Sequence, residues 1–364
     1  MKVLYDSQAF AQYKRGGVAK YFATLAQGSP SGSFAAEFDF WACYNSHYFE
    51  MGGHRLLHVP PVRGGQRIAK FVNTLVPRRR PRCDVWHATN YDAACLDGRY
   101  GAIPMICTVH DMIPELLPEY FASNPHSGKK AYVNQATVII AVSSQTKSDL
   151  VELYGIEPAK IHVVHHGIDL NHQHVTPLPV PDRYVLYVGS RREYKNFDNA
   201  LRAFHTAARA DPSLSLVCTP GGALSESQRA ALDPDIAQRI HFVSSTDSQL
   251  AYLYSKALMF LYPSLYEGFG IPILEAMINL CPVVLADASC FPEVAADAAL
   301  YFDPNSHVEM AEAIQRVAAD AGLRHSMVER GRTRVRDFSI EAMLEATSTV
   351  YRLAADGAGG ASQA

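Results

Sequence analysis

Short runs of consecutive hydrophobic residues alternate along this chain with stretches in which hydrophobic positions recur at helical spacing. Strands that are apolar throughout and separated by helices are typical of parallel sheets covered on both faces, so the pattern predicts two doubly wound α/β domains. The predicted strands are 2–6, 36–44, 83–89, 105–111, 137–143 and 160–166, then 184–190, 214–219, 240–244, 258–263, 282–287 and 299–303. The main predicted helices are 17–27, 144–155, 196–210, 226–239, 247–257, 271–280 and 308–320.

A proline-rich segment over 169–183 separates the two series of strands and predicts an extended linker. The predicted division is an N-terminal domain over 1–172, a C-terminal domain over 173–338, a helix over 339–355 that returns to the first domain, and a tail over 356–364. Ligands of open parallel sheets bind beyond the carboxyl ends of the strands. We therefore expect the functional site at these loops, facing a cleft between the two domains.

Composition narrows the class of protein. The chain has 364 residues, of which 48% are hydrophobic and 19% charged, which is the composition of a globular protein rather than a disordered one. No apolar run approaches the roughly 20 residues that span a bilayer. Seven cysteines form no CxxC pair, which predicts reduced thiols in a cytoplasmic protein. Residues 1–176 carry 17 Lys and Arg against 14 Asp and Glu, and the remainder carries 16 against 22, so nucleic acid is not an expected partner.

The most informative motif is PSLYEGFGIPILE over 263–275, where a strand leads through a Gly-rich turn into a helix. Backbone N–H groups and the helix dipole at such a turn suit a phosphate. Glu267 and Glu275 flank the turn and are suited to accept hydrogen bonds from sugar or ribose hydroxyls. The alternative is a Gly-rich turn with two surface glutamates. Ile273 stands where a dinucleotide-binding fingerprint needs a third glycine, so that fingerprint fails.

Three weaker features also follow predicted strands. VGSRREYKN over 188–196 places Arg191, Arg192 and Lys195 where cations suit a diphosphate, although a solvated basic loop is the commoner explanation. The pair Gly16-Gly17 permits close approach of a ligand to the backbone, but a Gly pair is usually only a turn. His110 and Asp111 stand at the end of the strand predicted over 105–111, and a single histidine there is more often structural than catalytic.

Taken together, these motifs resemble the retaining nucleotide-sugar glycosyltransferases of family 4, which have the GT-B architecture of two Rossmann-like domains. Further matches are TVHD over 108–111, AVSSQTKSDL over 141–150 and KIHVVHHGID over 160–169, and the resemblance extends from residue 1 to about residue 353. The subgroup that it most resembles transfers mannose or related sugars in bacterial polysaccharide or O-antigen assembly. The resemblance implies a nucleotide-sugar donor, most simply GDP-mannose, bound by the C-terminal domain over 173–338. It implies a glycan or polyprenyl-linked glycan acceptor bound by the N-terminal domain over 1–172.

The resemblance also implies a role for individual residues. Glu275 would bind the ribose, Lys195 the diphosphate, and His110 would lie beside the donor sugar at the reacting centre. Glu267 would hold the donor sugar, and Glu267 and His110 are the residues that the resemblance implies as catalytic. The remaining implied donor-binding residues are Gly16, Gly17, Ser190, Arg191, Gly268, Phe269 and Gly270. The family has an arginine at the position of Ser190, and Arg191 is the candidate to replace it.

Other chemistries find little support in the sequence. The Walker, HExxH and GxSxG motifs are absent. A group of histidines suggests a zinc site, but no cysteine is close to them. Asp233-Pro234-Asp235 has the spacing of a motif that holds a metal-bound nucleotide, but it is far from any strand end. The histidines are His162, His165, His166, His172 and His174. We therefore expect a transferase that uses no cofactor and no metal. The alternatives are a sugar-nucleotide 2-epimerase of the same architecture and a non-catalytic sugar-nucleotide-binding subunit.

The segment over 60–82 contains seven basic residues and no acidic residue. They are Arg63, Arg67, Lys70, Arg78, Arg79, Arg80 and Arg82. Apolar residues recur among them at helical spacing, so a short basic amphipathic helix is predicted. The alternative is a solvated surface helix packed on the first domain. If the acceptor is lipid-linked, this segment would attach the enzyme to the anionic cytoplasmic face of the membrane.

Overall fold

The chain folds into two compact units, each built on a six-stranded parallel sheet. The computed structural model describes residues 1–28, 31–60, 62–76, 82–171, 174–191 and 193–361. Unit 1 comprises Met1–Gly167 and Ile340–Ala364, and unit 2 comprises Ile168–Ser339. The chain enters unit 2 slightly before the predicted boundary after residue 172. It returns to unit 1 next to the predicted boundary after residue 338.

The sheet of unit 1 has the strand order β2-β1-β5-β6-β7-β8, and every pairing is parallel. Its strands are β1 Lys2–Tyr5, β2 Ala35–Phe38, β5 Val85–Ala88, β6 Met105–Val109, β7 Val138–Ala141 and β8 Ile161–Val163, and a separate pair is formed by β3 Ala42–Cys43 and β4 Leu57–His58. Its helices are α1 Gln8–Gln12, α2 Gly17–Ala26, α3 Ser46–Glu50, α4 Gly65–Thr74, α5 Ile113–Leu116, α6 Lys129–Gln135 and α7 Ser144–Tyr154. Strands β5, β6 and β7 are buried throughout, as expected for a sheet with both faces covered.

Unit 2 has the strand order β11-β10-β9-β12-β13-β14, again all parallel. Its strands are β9 Tyr184–Val188, β10 Ser215–Thr219, β11 Ile240–Phe242, β12 Met259–Tyr262, β13 Val283–Ala286 and β14 Ala299–Phe302. Its helices are α8 Phe197–Ala210, α9 Glu226–Ala230, α10 Pro234–Ala237, α11 Asp247–Lys256, α12 Ile271–Ile278, α13 Phe291–Ala295, α14 His307–Ala319 and α15 Ala321–Arg334. This order reverses between β9 and β12, as in Rossmann sheets, so the predicted α/β class with two doubly wound sheets is confirmed.

The last helix, α16 Ile340–Ala361, belongs to unit 1. Tyr351 on this helix is fully buried and shares a hydrogen bond of 3.0 Å with the hydroxyl of Tyr5 on β1. Its hydroxyl also lies 2.7 Å from Nδ1 of His87 on β5, and Nε2 of His87 lies 2.8 Å from the hydroxyl of Thr108. A buried polar network therefore ties the end of the chain to the sheet formed by its beginning.

Two predicted elements differ from the structure, and helix α1 is one that the hydrophobic pattern does not predict. The run 36–44 is not one strand, because the chain leaves the main sheet after Phe38 and pairs again only in the small β3-β4 sheet. The predicted helix 226–239 is two short helices, since Asp233 is extended and Pro234 begins a new one. Between β1 and the Gly16-Gly17 turn the chain also forms α1, which we had not predicted.

Candidate functional site

The carboxyl ends of β9 and β12 define the candidate site in unit 2. These strands are neighbours at the reversal of strand order, which is where open α/β sheets have a crevice for ligands. The loop over 189–196 leaves β9 and the loop over 263–270 leaves β12. The motifs over 188–196 and 263–275, which are distant in sequence, are therefore adjacent in the fold.

Direct hydrogen bonds fix these two loops to each other. The backbone N–H of Leu265 donates to the carbonyl of Tyr194 at 2.9 Å. The side-chain amide of Asn196 donates to the carbonyls of Pro263 at 3.1 Å and Pro304 at 2.7 Å. Asn196 is also in the left-handed region, with φ of 57°, which asparagine tolerates better than most residues. The loops therefore hold their side chains on a preorganised frame.

Lys195 and Glu267 form an ion pair across the two loops. The Lys195 ammonium donates directly to Oε1 of Glu267, and the two side chains are only 14% and 11% exposed. The ammonium also lies 5.6 Å from the centre of the Tyr262 ring, which favours a cation. An ammonium has three N–H donors, so Lys195 can keep this partner and still bind a phosphate oxygen.

The main chain of Glu267 is anchored by the loop that follows β13. The Ser289 hydroxyl donates to the Glu267 carbonyl at 2.6 Å and accepts from the Glu267 N–H at 3.3 Å. The Cys290 thiol donates to the same carbonyl at 3.3 Å. Ser289 has φ of 53°, and no sequence motif signals that conformation. Ser289 is thus a site residue that the sequence analysis missed.

The Gly-rich turn ends where α12 begins. Gly270 precedes the helix with φ of 87°, and an added Cβ would lie 3.0 Å from Ile273, so this position requires glycine. Phe269 is buried against Phe338, with 5.7 Å between ring centres. Gly268 joins Glu267 to Phe269 in this turn. Pro272 has no N–H and the N–H of Ile273 donates to the Gly270 carbonyl at 2.9 Å, so this end of α12 can accommodate an anion mainly through the helix dipole.

Glu275 lies one turn further along α12. The hydroxyl of Tyr254, a buried residue of α11, donates to Oε2 of Glu275 at 3.3 Å. Burial raises the pKa of Tyr254 well above its ordinary value, and the negative charge of Glu275 adds to this effect. Tyr254 therefore remains a hydrogen-bond donor that orients the carboxylate.

Arg191 has a different environment from Lys195. Its guanidinium donates to the carbonyls of Pro220 at 3.1 Å and Gly221 at 3.3 Å, and lies 4.9 Å from the centre of the Phe242 ring. Ser190 is exposed, and its carbonyl accepts a hydrogen bond from Tyr187 at 2.9 Å. Arg191 is thus held against the loop after β10, which is a structural use of the side chain that the sequence did not reveal. Arg192 lies outside the described residues.

In unit 1, His110 follows β6 and is enclosed by aromatic side chains. Its ring stacks on His166 with 5.4 Å between centres and an angle of 7°, and it meets the edge of Tyr21 at 5.1 Å. Burial lowers the pKa of His110 well below its ordinary value, and nearby cationic forms such as protonated His166 lower it further. Burial also lowers the pKa of His166 to about 4. Both imidazoles are therefore neutral near pH 7.

His110 faces a small cavity of about 30 Å³, which also touches Val18 in the first turn of α2. This turn is opened by Gly16, with φ of 119°, and by Gly17, so the Gly pair and His110 are parts of one region. Nε2 of His110 is buried and, within the described part of the chain, has no hydrogen-bond partner. A buried nitrogen of this kind is suited to a ligand or a water molecule.

The loop that carries His110 rests on a buried cation. Lys129 is fully buried, and its ammonium donates to the carbonyl of Asp111 and to Oε2 of Glu115, both at 2.8 Å. An unpaired buried ammonium would be costly, so this pairing explains how a lysine can occupy the interior. Sequence reasoning missed Lys129, because it lies 18 residues after Asp111 and in no recognisable motif.

Comparison with known proteins identifies the architecture. A model of the Glycosyltransferase Family 4 domain matches residues 15–172, and a model of the Glycosyl transferases group 1 domain matches residues 170–334. The chain belongs to glycosyltransferase family 4. This glycosyltransferase is therefore an enzyme of the class that the motifs had indicated, and its two parallel sheets are those of the GT-B fold.

Individual relatives agree with this assignment. The glycosyltransferase is 26% identical to the O-antigen chain mannosyltransferase RfbU of Salmonella typhimurium over 303 residues, covering 78% of this chain and 82% of the relative. It is 27% identical to the O-antigen chain mannosyltransferase B of Escherichia coli, covering 75% and 78%. Sucrose-phosphate synthase of Thermosynechococcus elongatus has the same fold, with a TM-score of 0.71, 18% identity and coverage of 97% and 98%.

The described residues lack two features, a cluster of metal-binding side chains and a membrane-spanning helix. Over the described ranges, no group of three or more His, Cys, Asp or Glu side chains is arranged to hold a metal ion. The predicted histidine crowd is only partly described, since His172 lies outside these ranges. Among the described helices, none has the length and apolar character needed to cross a bilayer.

Proposed function

We propose that this glycosyltransferase is a retaining mannosyltransferase that uses GDP-mannose and extends a glycan or lipid-linked glycan in bacterial polysaccharide or O-antigen assembly. The observation that carries the proposal is the Lys195–Glu267 pair at the reversal of strand order in unit 2. In this pair, a cation that can bind a diphosphate lies beside a carboxylate that can accept hydrogen bonds from sugar hydroxyls. The names of the two O-antigen relatives support mannose as the transferred sugar.

The donor is assigned to unit 2 residue by residue. Lys195 and the first turn of α12 bind the diphosphate and stabilise the negative charge that grows as it leaves. Glu267 and the backbone at Phe269-Gly270 hold the sugar, and Glu275 binds the ribose hydroxyls. Arg191, which is turned to the loop after β10, contributes through that loop rather than through a direct phosphate contact.

The transfer needs no metal and no protein base. Positive charge from Lys195 and from the α12 terminus does the electrostatic work that a divalent ion does in other transferases. The leaving phosphate takes the proton of the acceptor hydroxyl, so the new bond forms on the face that the phosphate leaves. His110 is neutral and serves as a hydrogen-bonding group beside the donor sugar.

A comparison of donors tests this function. Purified protein is mixed with GDP-mannose, UDP-glucose or UDP-galactose, and binding is followed by thermal shift, since a ligand stabilises the folded state according to its concentration relative to Kd. We expect the largest shift with GDP-mannose. Equal shifts with all donors, or none with GDP-mannose, would remove the mannosyl assignment.

Donor incubated alone separates the alternatives. A transferase hydrolyses GDP-mannose slowly to mannose and GDP, an epimerase converts its sugar, and a binding subunit leaves it unchanged. With a mannosylated product in hand, the one-bond carbon–proton coupling at the new anomeric carbon reports whether the configuration is retained.

We further propose that the segment 60–82 attaches the enzyme to anionic membrane. In the described part of this segment, α4 exposes the apolar side chains of Ile68 and Phe71, and its C-cap residue Leu75 extends the same face; the three are 51%, 66% and 59% exposed. Arg63, Arg67 and Lys70 lie on or beside the same helix, whereas Arg78, Arg79 and Arg80 lie outside the described residues. Each cation near an anionic surface contributes about 1 kcal/mol, screened by salt.

Sedimentation with liposomes tests this attachment. Wild type should bind vesicles rich in phosphatidylserine more tightly than neutral vesicles, and high salt should weaken binding. Phe71→Ser and an Arg78/Arg79/Arg80→Ser variant should each reduce it, whereas the control Val308→Ser, at a 54% exposed position on α14, should not. Binding that ignores lipid charge, or that survives in both variants, would refute the role of the segment.

A further inference from the structure

The last helix, α16, presents a buried face to the part of unit 1 that contains His110. Met343, Thr347 and Tyr351 follow one another at intervals of four residues, so their side chains lie on the same face of the helix. They are 5%, 0% and 0% exposed, whereas Thr349 is exposed. Each of the three side chains has an atom that can form a hydrogen bond, which packing alone does not require.

Tyr351 begins a chain of hydrogen bonds that runs through β5 and β6 to α2. Its hydroxyl lies 2.7 Å from Nδ1 of His87, and Nε2 of His87 lies 2.8 Å from the hydroxyl of Thr108. The Thr108 hydroxyl lies in turn 3.2 Å from the hydroxyl of Tyr21 on α2. Burial lowers the pKa of His87 to about 3, so the neutral ring donates through one nitrogen and accepts through the other. The orientation of one hydroxyl is therefore coupled to that of the next along the chain.

Thr347 contacts the same tyrosine more directly. Burial raises the pKa of Tyr21 to about 12, and hydrogen bonds with the hydroxyls of Thr108 and Thr347 partly offset this shift. The Thr347 hydroxyl donates its own proton to the Met343 carbonyl at 2.7 Å, so it is left to accept from Tyr21. Helix α16 is thus linked to Tyr21 by two routes, one through Thr347 and the other through His87.

Tyr21 and His166 both pack against the His110 ring. The centre of the Tyr21 ring lies 5.1 Å from the centre of each imidazole, and the two imidazoles are stacked on each other. The backbone N–H of Gly167, the residue after His166, donates to the sulfur of Met343 at 3.2 Å. The same face of α16 therefore holds Tyr21 and the residue next to His166.

We infer that α16 is a positioning element of the reacting centre, whose buried face holds Tyr21 and His166 and through them fixes the His110 ring. The inference rests on the proposed function for the role of His110 beside the donor sugar. The residues of α16 act through the neighbours of His110, so they are positioning residues. Because a small misplacement at a reacting centre slows the chemical step, loss of this face should lower kcat rather than weaken donor binding.

A matched pair of threonines on α16 tests the inference. Thr347→Val removes a hydroxyl from the buried face and Thr349→Val removes one from the exposed face. Each hydroxyl donates to the carbonyl four residues earlier, at 2.7 Å and 3.2 Å respectively. Tyr351→Phe is a second buried-face variant, which keeps the ring and removes only the hydroxyl. Far-UV circular dichroism during heating identifies the temperatures at which each variant is folded, and all measurements are made below its transition.

The histidine rings report on this coupling without any substrate. In protein labelled with ¹⁵N-histidine, the ring signals of His110 and His166 are assigned from their absence in His110→Gln and His166→Gln. We expect Thr347→Val and Tyr351→Phe to shift the His110 signals, and Thr349→Val to leave them at their wild-type positions. Unshifted His110 signals in both buried-face variants would overturn the inference.

Steady-state kinetics of GDP-mannose turnover measure the consequence for the reaction. We expect Thr347→Val and Tyr351→Phe to lower kcat roughly 2- to 30-fold while KM for the donor changes less than about twofold, and Thr349→Val to match wild type. A raised KM with an unchanged kcat in both buried-face variants would also overturn the inference. If wild type neither transfers nor hydrolyses the mannose of GDP-mannose, the proposed function fails, and the histidine signals still decide whether α16 positions His110.

Discussion

The ion pair between Lys195 and Glu267 leads to the most specific prediction about stability. Two unit charges about 4 Å apart attract by about 4 kcal/mol at an effective dielectric constant of 20, and desolvation of the two groups offsets much of this gain. The side chains are 14% and 11% exposed, so water reaches each only at its edge. Removal of one partner leaves the other charge unpaired and poorly solvated. We therefore expect Lys195→Met or Glu267→Gln to lower the free energy of unfolding by about 2–4 kcal/mol.

The double variant distinguishes this pairing from two independent losses. Lys195→Met/Glu267→Gln leaves no uncompensated charge, so it should be less destabilised than the sum of the single variants by about 1–3 kcal/mol. The measurement is denaturant unfolding of wild type, both single variants and the double variant, followed by far-UV circular dichroism.

Tryptophan fluorescence provides an internal reference for this experiment. Both tryptophans of the chain, Trp41 and Trp86, belong to unit 1, whereas the ion pair belongs to unit 2. If a variant lowers the denaturant midpoint of the dichroism transition but not that of the fluorescence transition, the destabilisation lies in unit 2. Additivity of the single variants within about 0.5 kcal/mol would refute the reasoning, because it would mean that the two charges do not stabilise each other.

Further predictions concern catalysis and pH. Activity in excess EDTA should stay close to the untreated rate, and loss that Mg²⁺ or Mn²⁺ restores would contradict metal independence. Glu275→Ala should mainly raise KM for the donor and Glu267→Ala should mainly lower kcat, each by about 2–4 kcal/mol in kcat/KM; small, equal effects in steady-state kinetics would count against these roles. Burial lowers the pKa of His87 to about 3, of His166 to about 4, and of His110 well below its ordinary value, so unfolded chains take up protons first as the pH falls. The free energy of unfolding should therefore reach its maximum above about pH 6.5 and decrease as the pH falls towards 4. His87→Gln should make this decrease smaller, as measured by urea unfolding at several pH values.

Hydrophobic patterning was sufficient to predict most of the sheet strands but not the places where the chain leaves a sheet. All six strands of unit 2 lie where the apolar runs predicted them. The signal is continuous because β10, β12 and β13 are buried throughout, and even the partly buried edge strands β11 and β14 are apolar enough to be recognised. The prediction of one strand over 36–44 was wrong because Phe40 and Cys43 are buried like strand residues, although the chain bends at Asp39 and leaves the main sheet there. Short exposed strands such as Leu57–His58 leave no such signal.

The candidate site was predictable as a set of residues but not as a set of contacts. The two glutamates and Lys195 were found because strand-to-turn-to-helix motifs carry a known chemistry. The direct pairing of Lys195 with Glu267 could not be found, since it depends on β9 and β12 being neighbours. The support from Ser289 and Lys129 likewise depends on long-range contacts that leave no local pattern.

The return of the last helix to unit 1 has a consequence for how the protein is made on the ribosome. Tyr351, which completes the buried network of Tyr5 and His87, is synthesised after every residue of unit 2. Domains generally begin to fold as they emerge during synthesis. Unit 2 can thus be finished while unit 1, although translated first, still exposes the surface that α16 will cover. The N-terminal half, although made first, is therefore the last part of this protein to complete its core.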